Sequence, residues 1–215
     1  MDIFQSFDIE EIQDILTSYL AITIALILFN VNGVFGILNI SLDKLLILGL
    51  ITTFSVGIGF VFHELMHKFV AISFGHYARF QAFTLGIFLM LAMALLPIGF
   101  LFLAPGAVVI YSHRINKYEN GIIALAGPLS NIFLVLLFIL LSNLNTIYTF
   151  AKSFEIQEEL LDAFFNYAIS INLLLAFFNM IPFAILDGAK VFAWNKIVWL
   201  TTMLAIIILY IVLMI

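Results

Sequence analysis

Six apolar segments dominate the chain: Tyr19 to Ile40, Leu45 to Phe74, Phe83 to Tyr111, Gly121 to Leu141, Leu160 to Pro182, and Ile197 to Ile215. At about 1.5 Å per helical residue, most are long enough to cross the ~30 Å hydrocarbon core of a bilayer. Of the 215 residues, 65% are hydrophobic and 10% charged, with a mean hydropathy of +1.22. Globular domains are about half apolar and about a quarter charged. The expected fold is therefore an all-α polytopic membrane protein with about six transmembrane helices, and the lipid bilayer is its first partner.

The third segment departs from a plain span. It contains Pro97, Gly99, Pro105 and Gly106, which break helices and invite extended backbone. It reads as a membrane-embedded hairpin with a short β element at Ala104 to Ile110, because non-helical backbone at membrane depth survives only against protein or a water-filled cavity. Residues 1–18 carry five acids and no base. With Ile9, Ile12, Ile15 and Leu16 at helical intervals, they are expected to form an amphipathic interfacial segment. The missing basic n-region argues against a cleavable signal peptide. Residues 19–215 then form a single transmembrane domain.

Charge and cysteine content limit the chemistry. The net charge is -5 and the eight Lys and Arg are scattered singly, so nucleic acid is not an expected partner. Without cysteine, a metal has to be held by histidine and carboxylate. If the third segment returns to the side it left, Lys68, Arg79, Arg114, Lys117, Lys190 and Lys196 share one face, leaving Lys44 and Lys152 opposite. The first face is then cytoplasmic by the positive-inside rule.

Near the end of the second segment stands His63-Glu64-Leu65-Met66-His67, an HExxH. On a helix, residues four apart share a face, so both imidazoles can address one ion while Glu64 remains beside them as a proton acceptor. In a soluble protein so short a pattern is weak evidence. Within an apolar span, ionisable groups cost several kcal/mol and mark function by default. A catalytic zinc needs a third protein ligand. His76 is a candidate by proximity, although it lies nine residues past His67 in a stretch, FGHYARF, that reads as a turn.

The remaining intramembrane acid is Asp187, in NMIPFAILDGAKVFAW. Pro182 should end one helix and let the chain turn inward before a new helix starts near Gly188. An aspartate at that start could be a simple cap favoured by the helix dipole. Taken with the HExxH, a zinc site of His63, His67 and Asp187 is the simplest explanation.

These residues resemble the site-2 protease family of intramembrane zinc metalloproteases. HELMH matches its HExxH, and Asn179, Pro182, Leu186, Asp187 and Gly188 match its NxxPxxxLDG position for position. IALAGPLSN, residues 123–131, is similar to its Gly-Pro element. The likeness covers roughly Leu45 to Trp194, without a PDZ-like insertion and with a longer, more apolar third segment. It implies zinc on His63, His67 and Asp187, with Glu64 as catalytic general base. It also implies that Asn179 is catalytic, stabilising the oxyanion or aligning the substrate; otherwise Asn179 is a buried amide serving backbone freed by Pro182. Gly127 and Pro128 are expected to allow close helix packing, and Asn131 to reach a backbone group.

The implied reaction is hydrolysis of peptide bonds in transmembrane protein substrates, in a multi-pass protein of the cell membrane with its active site toward the cytoplasmic side. The oligomeric state is left open. Substrate is expected to enter between the first or last segment and a core of the second, fourth and fifth. A metal-ion transporter or channel using the same His, Asp and Glu is the rival reading. It should tolerate Glu64→Gln, whereas a hydrolase should not.

Overall fold

The computed structural model describes residues 7–112, 115–183 and 185–214. Residues 1–6 of the expected interfacial segment, and Arg114 among the counted bases, lie outside them. Among the described residues five helices are long and apolar enough to span a membrane: α1 (Ile9–Asn30), α3 (Leu42–Ser73), α5 (Lys117–Ser142), α7 (Glu158–Asn179) and α9 (Lys196–Met214). Shorter helices are α2 (Gly33–Ile37), α4 (Thr84–Leu95), α6 (Asn145–Lys152) and α8 (Asp187–Trp194), and two strands are β1 (Tyr77–Ala82) and β2 (Gly106–Tyr111).

The ends of these helices follow from local chemistry. Asp8 caps α1 by accepting from the Glu11 backbone N–H at 2.7 Å, with Glu10 and Glu11 in the positive first turn. Helix α1 then runs unbroken to Asn30, across the boundary expected at residue 18. Asn116 and Glu119 form a reciprocal capping box that starts α5.

The third apolar segment is the hairpin. Its ends, Ala82 and Gly106, are register partners of the antiparallel β1–β2 pair, so the chain returns to the side it left. Helix α4, at 12 residues, is only about 18 Å long and cannot cross the hydrocarbon core alone. The expected strand is present, shifted to 106–111, and its partner β1 occupies the stretch read from sequence as a turn. The count of about six spans is thus five helices plus this re-entrant segment.

Helices α3, α5 and α7 pack on one another most extensively, with α8 against α5. They form the core expected of the second, fourth and fifth segments. Helices α1 and α4 cover one flank. On the other, α9 has 11% of its spanning stretch buried, against 56% for α5, so it is the most lightly held span. Helix α1 is fastened in several places: Ser18 Oγ donates to Pro105 O at 3.1 Å and Tyr19 Oη to Thr53 O at 2.9 Å.

Lys68, one of the bases expected on the cytoplasmic face, is not exposed there. It is 1% exposed and ion-paired with Glu11, itself fully buried. The other oxygen of Glu11 accepts from the backbone N–H of Phe80 in β1 at 2.8 Å. Arg79 is likewise ion-paired with acids of α1, with Glu10 at 2.9 Å. The amino-terminal acids therefore neutralise bases at the HExxH end of α3, and so pin α1 to β1.

Candidate active site

The site is assembled from three core elements and lined by β2. His63 and His67 lie one helical turn apart on the buried face of α3. Asp187 is the first residue of α8, after the chain breaks at Pro182 and turns back. Gly188 makes that turn possible, because a Cβ there would stand 2.2 Å from Met180 O. Trp199 Nε1 donates to the same carbonyl at 2.8 Å and ties α9 to the turn.

The functional atoms converge. His67 Nε2 lies 3.0 Å from His63 Nε2 and 2.9 Å from Asp187 Oδ2, and His63 Nε2 lies 3.4 Å from the same oxygen. All three side chains are buried. The other ring nitrogens fix the tautomers. His63 Nδ1 faces Asn131 Oδ1 at 2.6 Å, and His67 Nδ1 faces the Ile123 carbonyl at 2.7 Å. Each partner is an acceptor, so each Nδ1 carries the proton and each Nε2 presents a lone pair.

Two imidazole lone pairs and a carboxylate oxygen thus crowd together with no donor among them. A single proton could relieve only one contact at a time. A divalent cation relieves all three. In a tetrahedral shell with bonds of ~2.0–2.1 Å to His and carboxylate, neighbouring donors stand ~3.3 Å apart. The observed separations of 2.9, 3.0 and 3.4 Å are of that size. Gly127 leaves the necessary room: a Cβ on it would lie 2.4 Å from His67 Nε2 and 2.5 Å from His63 Nε2. The donor set fits a small metal ion.

Glu64 lines the same cleft, and its Oε2 is a buried oxygen without a hydrogen-bond partner among the described residues. An unpartnered buried acceptor is costly in a structural role and suits one that takes up a proton. Asp187 divides its carboxylate, with Oδ2 toward the histidines and Oδ1 3.2 Å from Lys190 Nζ. Asn179 is on the cleft wall, but its Nδ2 donates to Leu175 O in its own helix at 3.1 Å, not to backbone freed by Pro182. His76 pairs with Glu119 at 3.1 Å, which takes it away from the His63, His67 and Asp187 group.

Across the cleft stands the outer edge of β2. The bond from Phe83 N to Pro105 O extends the β1–β2 register. Because antiparallel ladders alternate, the pairs 82/106, 80/108 and 78/110 point their N–H and C=O groups outward. The bond from Phe80 N–H to Glu11 agrees, since Phe80 faces away from β2. Gly106, Val108 and Ile110 therefore turn their peptide groups outward on the edge of β2 remote from β1, and all three line the cleft with Glu64 and the histidines. The Val108 N–H points at the Glu64 carboxylate, which leaves Gly106 and Ile110 with open N–H groups.

Sequence reasoning found His63, Glu64, His67 and Asp187, which the fold brings together. It took Gly127 for a packing residue; it expected the contact of Asn131 to backbone, which is made to Gly59 O at 3.1 Å, but not its contact to His63, and it passed over Asn172. The available signal was an asparagine inside an apolar span, which is itself a mark of function.

The fold and site define a multi-pass membrane protein with a buried His/His/Asp group able to hold a metal ion. No protein-family model matches the chain, and no solved structure matches it. A protein of Methanocaldococcus jannaschii named "putative zinc metalloprotease" is 37% identical over 199 residues, 93% of this chain and 91% of the relative. The chain belongs to that zinc metalloprotease family.

Proposed function

We propose that this protein is an intramembrane zinc metalloprotease of the site-2 protease type, which cleaves transmembrane protein substrates within the membrane. The observation that carries the reading is the convergence of three acceptor atoms from His63, His67 and Asp187, beside the unpartnered oxygen of Glu64, in an HExxH within a spanning helix. His63 Nε2, His67 Nε2 and Asp187 Oδ2 would hold the zinc. When bound, zinc acidifies water and polarises a carbonyl.

The protein's own residues supply the rest. Glu64 Oε2 accepts the proton of the attacking water and passes it to the leaving amine. A helical substrate hides its carbonyls in internal hydrogen bonds, so the segment to be cut is taken up extended. The outward peptide groups of Gly106 and Ile110 and the carbonyl of Val108 bind it by strand addition, laying the scissile bond between β2 and the histidines. The carboxamide of Asn179 keeps a second N–H, which stabilises the carbonyl oxygen as charge develops. Lys190 and Asn120, also on the cleft wall, admit water. The site faces the cytoplasmic side, because α3 ends and α8 begins at the end of the molecule that carries Arg79, Lys190 and Lys196. Substrate enters past α9, the lightly packed span, rather than past α1, which the Glu11–Lys68 pair fastens.

The deciding experiment is metal analysis of the purified protein with a cleavage assay on single-span substrates, parent against Glu64→Gln. One zinc per chain in both, with cleavage in the parent alone, supports the reading. Cleavage by the Gln variant at the parental rate removes Glu64 as the base and overturns this mechanism, while zinc in both with cleavage in neither favours the metal-ion transporter or channel in which these residues bind cargo.

A further inference from the structure

A chain of amide side chains runs from the surface of the site into the membrane core, crossing three helices. Asn172 on α7 and Asn131 on α5 are both completely buried. Asn172 Nδ2 donates to the carbonyl of Ala168 at 2.8 Å. A carbonyl can only accept, so the Asn172 amide is fixed with Oδ1 toward Asn131. Asn131 Nδ2 meets that oxygen at 2.8 Å and the carbonyl of Gly59 on α3 at 3.1 Å. Both partners are again acceptors, so the Asn131 amide is also fixed, with Oδ1 toward His63 Nδ1 at 2.6 Å. Both hydrogens of the Asn131 amide are engaged before its oxygen meets the imidazole.

The helix backbone itself therefore dictates the His63 tautomer. The carbonyls of Ala168 and Gly59 orient the two amides, and the amides hold the proton on Nδ1, which leaves Nε2 as a lone pair aimed at His67 and Asp187. Gly59 is part of the fit, since a Cβ there would lie 3.0 Å from Asn172 Oδ1. Two buried amides in apolar spans are expensive unless all their groups are paired. Here the pairing ends on a metal-facing histidine. His67 needs no such relay, because its Nδ1 reaches the Ile123 carbonyl directly.

We infer that Asn131 is a positioning residue that prepares His63 to bind zinc, and that Asn172 acts through it by locking its orientation. This rests on the zinc metalloprotease reading. Loss of an outer partner of a metal-bound histidine typically costs 10–100-fold in metal affinity.

The test is zinc affinity of the purified full-length protein, by competition with a chelator, alongside thermal unfolding. Asn131→Leu should weaken zinc binding by about 10–100-fold. Asn131→Asp keeps an acceptor for His63 while losing both donated bonds, and should bind zinc at least nearly as tightly as the parent. Asn172→Leu should fall between parent and Asn131→Leu. A merely structural role predicts instead that Asp and Leu at 131 are equally damaging, and that result overturns the inference even if the Leu protein does not fold. Parental affinity in Asn131→Leu overturns it as well, leaving the proposed function standing. Absence of zinc from the parent sinks both.

Discussion

A Cβ placed on Gly127 would stand 2.4 Å from the Nε2 atom of His67. The glycine of the Gly-Pro pair in α5 is thus a wall of the metal site, and its missing side chain is the space a metal ion needs. Pro128 beside it is tolerated inside the helix, where packing by α3, α7 and α8 holds the chain in place of the lost backbone bond.

Gly127→Ala is expected to remove zinc from the protein without unfolding it. Within a helix, alanine is favoured over glycine by about 1 kcal/mol, while the methyl group overlaps both buried imidazoles at an overpacking cost of about 1–3 kcal/mol, so stability should fall only modestly as the methyl group takes the cation's place. Metal content and melting temperature, measured on one preparation, separate the two effects. Full zinc occupancy in the alanine variant would show that the ion lies elsewhere.

Asp187→Ala should lose zinc, since it deletes one of three donors, whereas Glu64→Gln should retain it and lose turnover by roughly a hundredfold or more, the usual worth of a positioned acid–base group. The pair of results divides ligand from base. His76 cannot replace Asp187 without abandoning Glu119, to which it is bonded at 3.1 Å.

How much of this could be read from the sequence depended on how local the cause was. The HExxH was legible because metal ligation on a helix demands histidines four apart. Asp187 was legible because Pro182 announces the chain reversal that carries it inward. Strand β1 was not, because its outer edge is completed by Glu11, 69 residues away, and nothing within YARFQA reports that contact. Lys68 misled for the same reason. Its neighbours in sequence suggest a base at a helix end, and only the approach of α1 makes it a buried partner of Glu11. Asn172 has its partners on two other helices, so its amide looked like a lone polar residue in a span.

Glu11→Ala should destabilise the protein by about 3 kcal/mol or more, the cost of removing one member of a buried ion pair, because it takes the carboxylate away from the buried Lys68 and also from the Phe80 amide. Glu11→Leu combined with Lys68→Met should recover most of that loss, since an apolar pair of similar volume often replaces a buried ion pair without cost. Thermal or denaturant unfolding in detergent reads both. A single variant as stable as the parent would mean that α1 is held by its apolar face alone, and would return α1 to consideration as the moving gate.

The edge of β2 offers the sharpest test of how substrate is held. Ile110 sits opposite Ala78 in a pair whose peptide groups point out of the ladder, so Ile110→Pro removes an outward N–H and no bond between the strands, and it spares the Val108 N–H that faces Glu64. Proline is tolerated at such an edge position. Val109 is opposite Arg79, in a pair that faces inward, and Val109→Pro breaks the ladder itself. If substrate adds as a strand, Ile110→Pro should keep its zinc and its melting temperature while KM for a transmembrane substrate rises severalfold, since one main-chain hydrogen bond is worth about 0.5–1.5 kcal/mol. Val109→Pro should lose stability first. Unchanged cleavage by Ile110→Pro with zinc in place would mean that the substrate runs along another wall of the cleft, and the polar side formed by Asn120, Asn179 and Lys190 would be the next place to look.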